Sequence, residues 1–247
     1  MPGKVGTGFP SGIASKRSPA EPGRANPGPD CPICPRLVDF RLKWRAAEPS
    51  WHNAPVATFG PLKVRLLIVG LAPGLRGANR TGRPFTGDFA GDLLYRTLID
   101  FSFASGTYKA TPDDGLKLVD AAITNAVRCV PPENKPLPAE IANCRQFLIG
   151  TIAAMPKLRA ILALGRVAHD STVAALGLRR AAAPFAHGAI HPAGPKLTLY
   201  DSYHCSRYNT NTGVLTEEMF RSVFAAIRQR LDEDRRVGKG PKGRAHA

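Results

Sequence analysis

Short apolar runs, each closed by a glycine or polar residue, alternate along this chain with stretches whose apolar residues recur at helical spacing. Residues 64–69 are the clearest run. Val64, Leu66, Leu67, Ile68 and Val69 surround one arginine and Gly70 closes the segment, as expected of a buried strand. Residues 121–127, 159–164 and 197–203 are further strand candidates. Leu93, Leu94 and Leu98 predict a helix over residues 88–100. Pro138, suited to a first helical turn, opens another over residues 138–155. Gly165 opens one towards Leu176, and Met219, Val223, Phe224 and Ile227 share one face of a helix over residues 215–231. Elements alternating in this way predict an α/β fold, a single domain whose mostly parallel sheet has helices on both faces. Sites in such sheets gather at the carboxyl ends of the strands. Gly70, Asn125 and His204 all fall at or just after strand ends, which points to one composite site.

The ends of the chain differ from its body. Residues 1–29 are rich in Gly, Pro, Ser and charge and predict a disordered basic tail; the folded domain is expected over residues 30–231, with a second basic tail over 232–247. No internal repeat is visible. No apolar stretch approaches the ~20 residues that a membrane span needs. The N-terminal segment lacks the apolar core of a secretory signal, so a cytoplasmic protein is expected.

A formal charge of +15 points to a polyanionic partner, because Lys and Arg near phosphates release condensed counterions. The tails account for part of the excess. Arg76, Arg80, Arg83, Arg128, Lys135 and Arg207 lie in the body and favour nucleic acid.

Five cysteines in such a chain argue for metal or catalysis over disulfides. Cys31 and Cys34 form a C-x2-C turn able to bind one metal centre from a single loop. Cys129 follows the second strand, and Cys144 stands fifteen residues later on a predicted helix. Four thiolates suffice for structural zinc or for a [4Fe–4S] cluster. The wide second pair suits zinc less well, but spacing alone leaves both open. Cys205 falls outside the pattern.

Residues 70–88 form a loop too long and polar for a simple strand–helix turn, and five glycines within it let the backbone approach a ligand. It lacks the Gly-Lys-Ser/Thr ending of a phosphate loop. Asp88 begins the next helix and could merely cap it; Phe85 could stack on a base or anchor the core. His204 stands at the end of the fourth strand beside Ser206, Arg207 and Asn209. His187 and His191, separated by Gly188 and followed by Pro192, read as structural or rim residues.

Taken in order, these segments resemble a known family. Gly70-Leu-Ala-Pro-Gly followed by Asn79-Arg-Thr-Gly-Arg-Pro-Phe-Thr-Gly-Asp88 is similar to the first motif of the iron–sulfur, B-type (family 5) uracil-DNA glycosylases. Residues 126–136, Ala163-Leu-Gly-Arg166, Ser202-Tyr-His-Cys-Ser-Arg207 and Asn211-Thr-Gly-Val-Leu-Thr216 match later stretches of that family, and the likeness covers about residues 30–231. The resemblance implies a four-stranded parallel sheet and a [4Fe–4S] cluster on Cys31, Cys34, Cys129 and Cys144. It also implies hydrolysis of the bond joining uracil, and other deaminated or modified bases, to deoxyribose. Double- and single-stranded DNA are the expected partners, and the protein is expected to be monomeric and nucleoid-associated when on DNA.

On the same grounds Asp88 and His204 become the catalytic candidates, with Gly70, Ala72, Asn79, Phe85, Asn125, Asn134 and Ser206 contacting substrate. Asn125 and Asn134 compete for the role of reading the base edge. Two departures stand out. Cys205 occupies a place where relatives often carry proline. Leu71 and Ala72 cannot position water, as is usual for the B-type, so that burden shifts to Asp88. A non-catalytic Fe–S module that binds nucleic acid is the alternative; it would need no Asp88 and His204 on facing loops. A crosslinking relative would carry an Arg- and His-bearing insertion after the first motif, which residues 89–95 lack.

Overall fold

The computed structural model describes residues 24–237. Its centre is a five-stranded sheet in the order β4-β1-β5-β7-β6. Strands β1 (Leu66–Gly70), β4 (Ala121–Asn125), β5 (Ala160–Leu164) and β7 (Thr198–Ser202) run parallel, with Leu66 opposite Ala121 and Ala160, and Ala160 opposite Thr198. These are the four strands that the apolar runs predict. The fifth, β6 (Ile190–Pro192), lies antiparallel on the β7 edge and was not expected. It is three residues long and Pro192 ends it, so it carries no apolar run; Pro is tolerated there because an edge leaves N–H groups unneeded. A small antiparallel pair, β2 (Ala104–Ser105) with β3 (Lys117–Leu118), stands apart.

Alternate side chains of the buried strands feed two cores. On one face Leu66, Ile68, Ile123 and Leu162 pack with Leu94 and Leu98 of α3 (Phe89–Asp100) and with Phe220, Phe224 and Ile227 of α7 (Glu217–Val237). On the other, Leu67, Val69, Ile161 and Leu199 meet Leu148 of α4 (Pro138–Ala153) and Ala168 and Val173 of α5 (Arg166–Ala175). A third cluster joins Leu37 of α1 (Pro35–Ala47), Val127, Cys144 and Phe147, with Cys31, Cys34 and Cys129 against it. Two short helices, α2 (Ala78–Thr81) and α6 (Arg207–Asn211), lie in the loops after β1 and β7. Among the described residues no helix is long and apolar enough to cross a membrane.

The expected domain limits shift at both ends. Helix α7 runs six residues past the expected 231, to Val237. Residues 24–29, assigned to the tail, are tied to the domain. Arg128 is fully buried and donates through Nη1 to Asn26 Oδ1 at 3.0 Å and through Nη2 to Thr151 Oγ1 at 2.8 Å, while Thr151 Oγ1 donates to the Ala25 carbonyl at 2.8 Å. Residues 1–23 and 238–247 of the two expected tails lie outside the described residues.

Arg128 and Arg83 are therefore not the DNA-facing cations that composition suggested. Arg83 is 4% exposed and makes a two-pronged bond to Asp114 at 2.8 and 2.7 Å beneath the rings of Tyr95 and Tyr108. That guanidinium holds the Asp114 carboxyl far below the usual carboxylate range. Arg76, Arg80, Lys135 and Arg207 are exposed, as the charge argument requires.

Candidate active site

The loops after β1, β4 and β7 enclose a cleft of about 780 Å³, lined among others by Ala72, Phe85, Asp88, Asn125, Asn134, His204 and Ser206. It opens at the carboxyl ends of the parallel strands, where the pleated termini leave room between diverging loops.

Asp88 caps α3. Its Oδ1 accepts from Gly91 N at 2.9 Å, and both capping and a position inside the cleft follow from the same extended backbone. Gly77 is required by the close approach of the Thr86 carbonyl, 2.7 Å from where its Cβ would stand, and this packs the loop against the Asp88 segment. Partial desolvation, the largest influence, raises the Asp88 carboxyl above its ordinary value, opposed by the Gly91 hydrogen bond.

His204 reaches the cleft from the opposite loop, its ring stacked on Phe85 at 5.9 Å between centroids and 25° between planes. Burial lowers its pKa to about 4, so the ring is neutral at neutral pH and can donate from one nitrogen. Phe85 adopts φ +55°, a left-handed conformation costly for an aromatic residue. The strain is held in place because the Pro84 carbonyl accepts from Tyr95 Oη at 2.6 Å and the Phe85 carbonyl from Tyr108 Oη at 3.1 Å. Strain of this kind concentrates at functional sites.

Gly70, expected to contact substrate, is buried and does not line the cleft; it lies behind Asn125 and Phe85. A Cβ there would lie 2.5 Å from Asn125 Oδ1 and 2.6 Å from Phe85 Cζ. Gly70→Ala should therefore displace both side chains and slow the reaction in the cleft at least roughly tenfold, with a stability loss of only ~1–3 kcal/mol. A single-turnover assay beside a thermal melt checks this; an unchanged rate would show that the placement of Asn125 and Phe85 does not matter to the reaction.

Asn125 and Asn134 both line the cleft, the first buried and the second exposed with φ +57°. Asn79 does not join them. It is 1% exposed and donates to Asn53 Oδ1 at 2.8 Å, and Asn53 in turn ties down the Glu48 carbonyl. Its place in the motif is explained by this support of the loop. Arg76 and Arg207, marked in the sequence only as body cations, both line the cleft, and Arg207 lies over the Phe89 ring at 5.6 Å.

Cys31, Cys34, Cys129 and Cys144 line one separate cavity together with Leu37, Arg41 and Phe147. Donors point at the sulfurs: Arg128 N at 3.2 Å from Cys144 Sγ, Asn143 Nδ2 at 3.8 Å from Cys34 Sγ and Arg41 Nη1 at 3.9 Å from Cys129 Sγ. Burial pushes the Cys129 thiol up to about 12 and Cys144 up to about 11, so a bound cation is what would ionise them. Four thiols lining one cavity, with N–H donors on three of the sulfurs, are the candidate ligands of a metal centre. Cys205 is buried elsewhere, under α3, with its Sγ 3.6 Å from the Ala90 carbonyl.

A strand-end cleft lined by an aromatic ring, a carboxylate and a neutral imidazole has the groups of an enzyme active site. The comparisons are specific. Residues 57–228 match the model of the uracil DNA glycosylase superfamily. A type-5 uracil-DNA glycosylase of Thermus thermophilus is 45% identical over 200 residues, 78% of this chain and 90% of the relative. One from Mycobacterium tuberculosis is 39% identical over 202 residues, covering 78% and 75%. A type-4 enzyme of Pyrobaculum aerophilum is 32% identical over 149 residues, 59% and 68%. The chain belongs to the uracil DNA glycosylase superfamily, within its type-5 group.

Proposed function

We propose that the protein excises uracil, and further deaminated bases, from DNA as the first step of base excision repair. The observation that supports this reading is the one cleft that Asp88 and His204 both line, with Phe85 stacked on the His204 ring. A base inside a duplex must first leave the stack, at a cost of a few kcal/mol that is smallest for mispaired bases. Phe85 then stacks on the extruded base, with Asn125 or Asn134 at its edge. As the glycosidic bond breaks, positive charge grows on the sugar and negative charge on the base. Ionised Asp88 stabilises the sugar cation and orients the attacking water; neutral His204 donates to the base oxygen. Ala72 and Ser206 shape the walls, and Gly70 gives Asn125 and Phe85 the room to take their places.

The four cysteines would hold a [4Fe–4S] cluster, whose chemistry here is structural, cross-linking the segment before α1 to the loop after β4 and to α4. The exposed cations Arg76, Arg80 and Arg207 near the cleft suit the phosphates of double- or single-stranded DNA. The protein acts as a monomer in the cytoplasm, on the nucleoid. Oligonucleotides carrying uracil, hypoxanthine or a modified pyrimidine, tested side by side in both strand forms, address the breadth. Release of free base from uracil and at least one other lesion is expected. Release from uracil alone would confine the activity to that base.

A further inference from the structure

The backbone leading into His204 is fastened by side chains from distant segments. Gly188 N donates to the Asp201 carbonyl at 2.9 Å and Asp201 N to the Ala189 carbonyl at 3.0 Å, pairing the chain around β6 with β7. The Asp201 carboxylate meets His169 Nδ1 at 2.7 Å and His191 Nε2 at 3.1 Å. At the next step Tyr203 N donates to His187 Nδ1 at 3.2 Å, and His187 Nε2 lies 3.2 Å from the Met219 carbonyl in α7.

Ser202 Oγ also lies 3.4 Å from Nδ1 while donating to the Tyr203 carbonyl at 2.9 Å, and a hydroxyl oxygen fits either tautomer; the Tyr203 and Met219 contacts select between them. A carbonyl only accepts, so Nε2 carries the proton; a backbone N–H only donates, so Nδ1 presents its lone pair. An imidazolium would set N–H against N–H at Tyr203. Burial, which lowers the His187 pKa, acts in the same direction. The ring also packs on Tyr203, at 5.2 Å between centroids. His187 thus bridges the last residue before His204 to a long core helix. On the far side of His204 its own carbonyl accepts from Asn209 Nδ2 at 2.8 Å.

We propose that His187, as the neutral Nε2–H tautomer, is a positioning residue that sets the place of His204 in the cleft by holding the Tyr203 amide against α7. The inference rests on the reading of His204 as the group that meets the base. Without His187 the Tyr203 N–H loses its partner and the strand end can shift. Displacing a reacting group by about 1 Å can cost on the order of 10²-fold in rate.

The test compares His187→Ala, His187→Gln and His204→Ala in single-turnover release of uracil from an oligonucleotide, with DNA affinity and thermal midpoint measured alongside. Glutamine offers one acceptor and one donor and so can replace both contacts. His187→Ala should slow release roughly tenfold or more while DNA affinity stays within about twofold, and His187→Gln should recover most of the loss. Long-range ¹H–¹⁵N spectra of the wild-type protein should show His187 as the Nε2–H tautomer, a reading that stands even if the alanine variant fails to fold. An Nδ1–H tautomer, an undiminished rate in His187→Ala beside a slow His204→Ala, or a loss that glutamine does not recover would overturn the proposal. A fast His204→Ala variant would instead overturn the reading of His204, and this inference with it.

Discussion

Asp88→Asn should release uracil in a single turnover ~10²–10³ times more slowly than the wild-type protein, while staying folded and bound to DNA. Asparagine keeps the oxygen that accepts from Gly91 N at 2.9 Å, so α3 retains its cap. It removes the negative charge that faces the sugar. Alanine would remove both and cost a further ~1 kcal/mol through the lost cap, so the asparagine variant is the cleaner probe. Stability should move the other way from activity. The folded-state pKa of Asp88 is raised, so the ionised form costs stability. That cost is absent below the unfolded-state pKa and accrues as pH rises through the folded one. At neutral pH the asparagine variant should therefore melt at or above the wild-type temperature. The wild-type rate should fall as pH drops through the raised Asp88 pKa, and this acid limb should vanish from the residual rate of the variant. His204, lowered by burial to about 4, is unchanged in the variant, so an acid limb that persists there belongs to His204. A variant with the full wild-type rate would remove Asp88 from the chemistry and leave it only a cap.

Serine in place of Cys129 or Cys144 should have the second large effect. If these thiolates hold a [4Fe–4S] cluster with Cys31 and Cys34, its binding free energy is folding free energy for the segments it joins. The wild-type protein should be straw-brown, with broad blue absorbance and equal iron and sulfide. Either variant should lose that absorbance and expose the third core cluster, Leu37, Val127 and Phe147, to rapid amide exchange around α1. The sheet, which has two cores of its own, should keep its protection for longer. A colourless, zinc-loaded protein after anaerobic purification would replace iron–sulfur with zinc. Variants with unaltered exchange would show that the cysteines carry no structural centre.

What the sequence disclosed and what it concealed divide along physical lines. Strands β1 and β5 are apolar on both faces, and β4 and β7 keep shorter apolar runs before their polar ends, so the runs stand out without any knowledge of their neighbours. Helix α7 shows its stripe through Val223, Phe224 and Ile227, although Phe220 is the residue fully buried with them and Met219 is only partly buried; Asp88 and His204 are marked by their places at the start of a helix and the end of a strand. Helix α1 was missed because only Leu37 and Arg41 on it are buried, which leaves no stripe. Strand β6 was missed because an edge of three residues needs no pattern. The parts read wrongly depended on partners far along the chain. Arg83 is claimed by Asp114, 31 residues on, and Arg128 by Asn26, 102 residues back. Asn79 is claimed by Asn53. Such residues look like free cations or a free amide until the fold closes around them. His187, read as structural or rim, proves to lie against the residue that precedes His204, a link that only the pairing of β6 and β7 brings about.

The most direct measurement is the fate of an oligonucleotide containing a single uracil, incubated with the purified wild-type protein and with Asp88→Asn. The expected result is free uracil and an abasic strand from the wild type, and a bound but intact strand from the variant. A wild-type protein that only retains the intact oligonucleotide, with no free base formed, would contradict the assignment of the cleft as a glycosylase site.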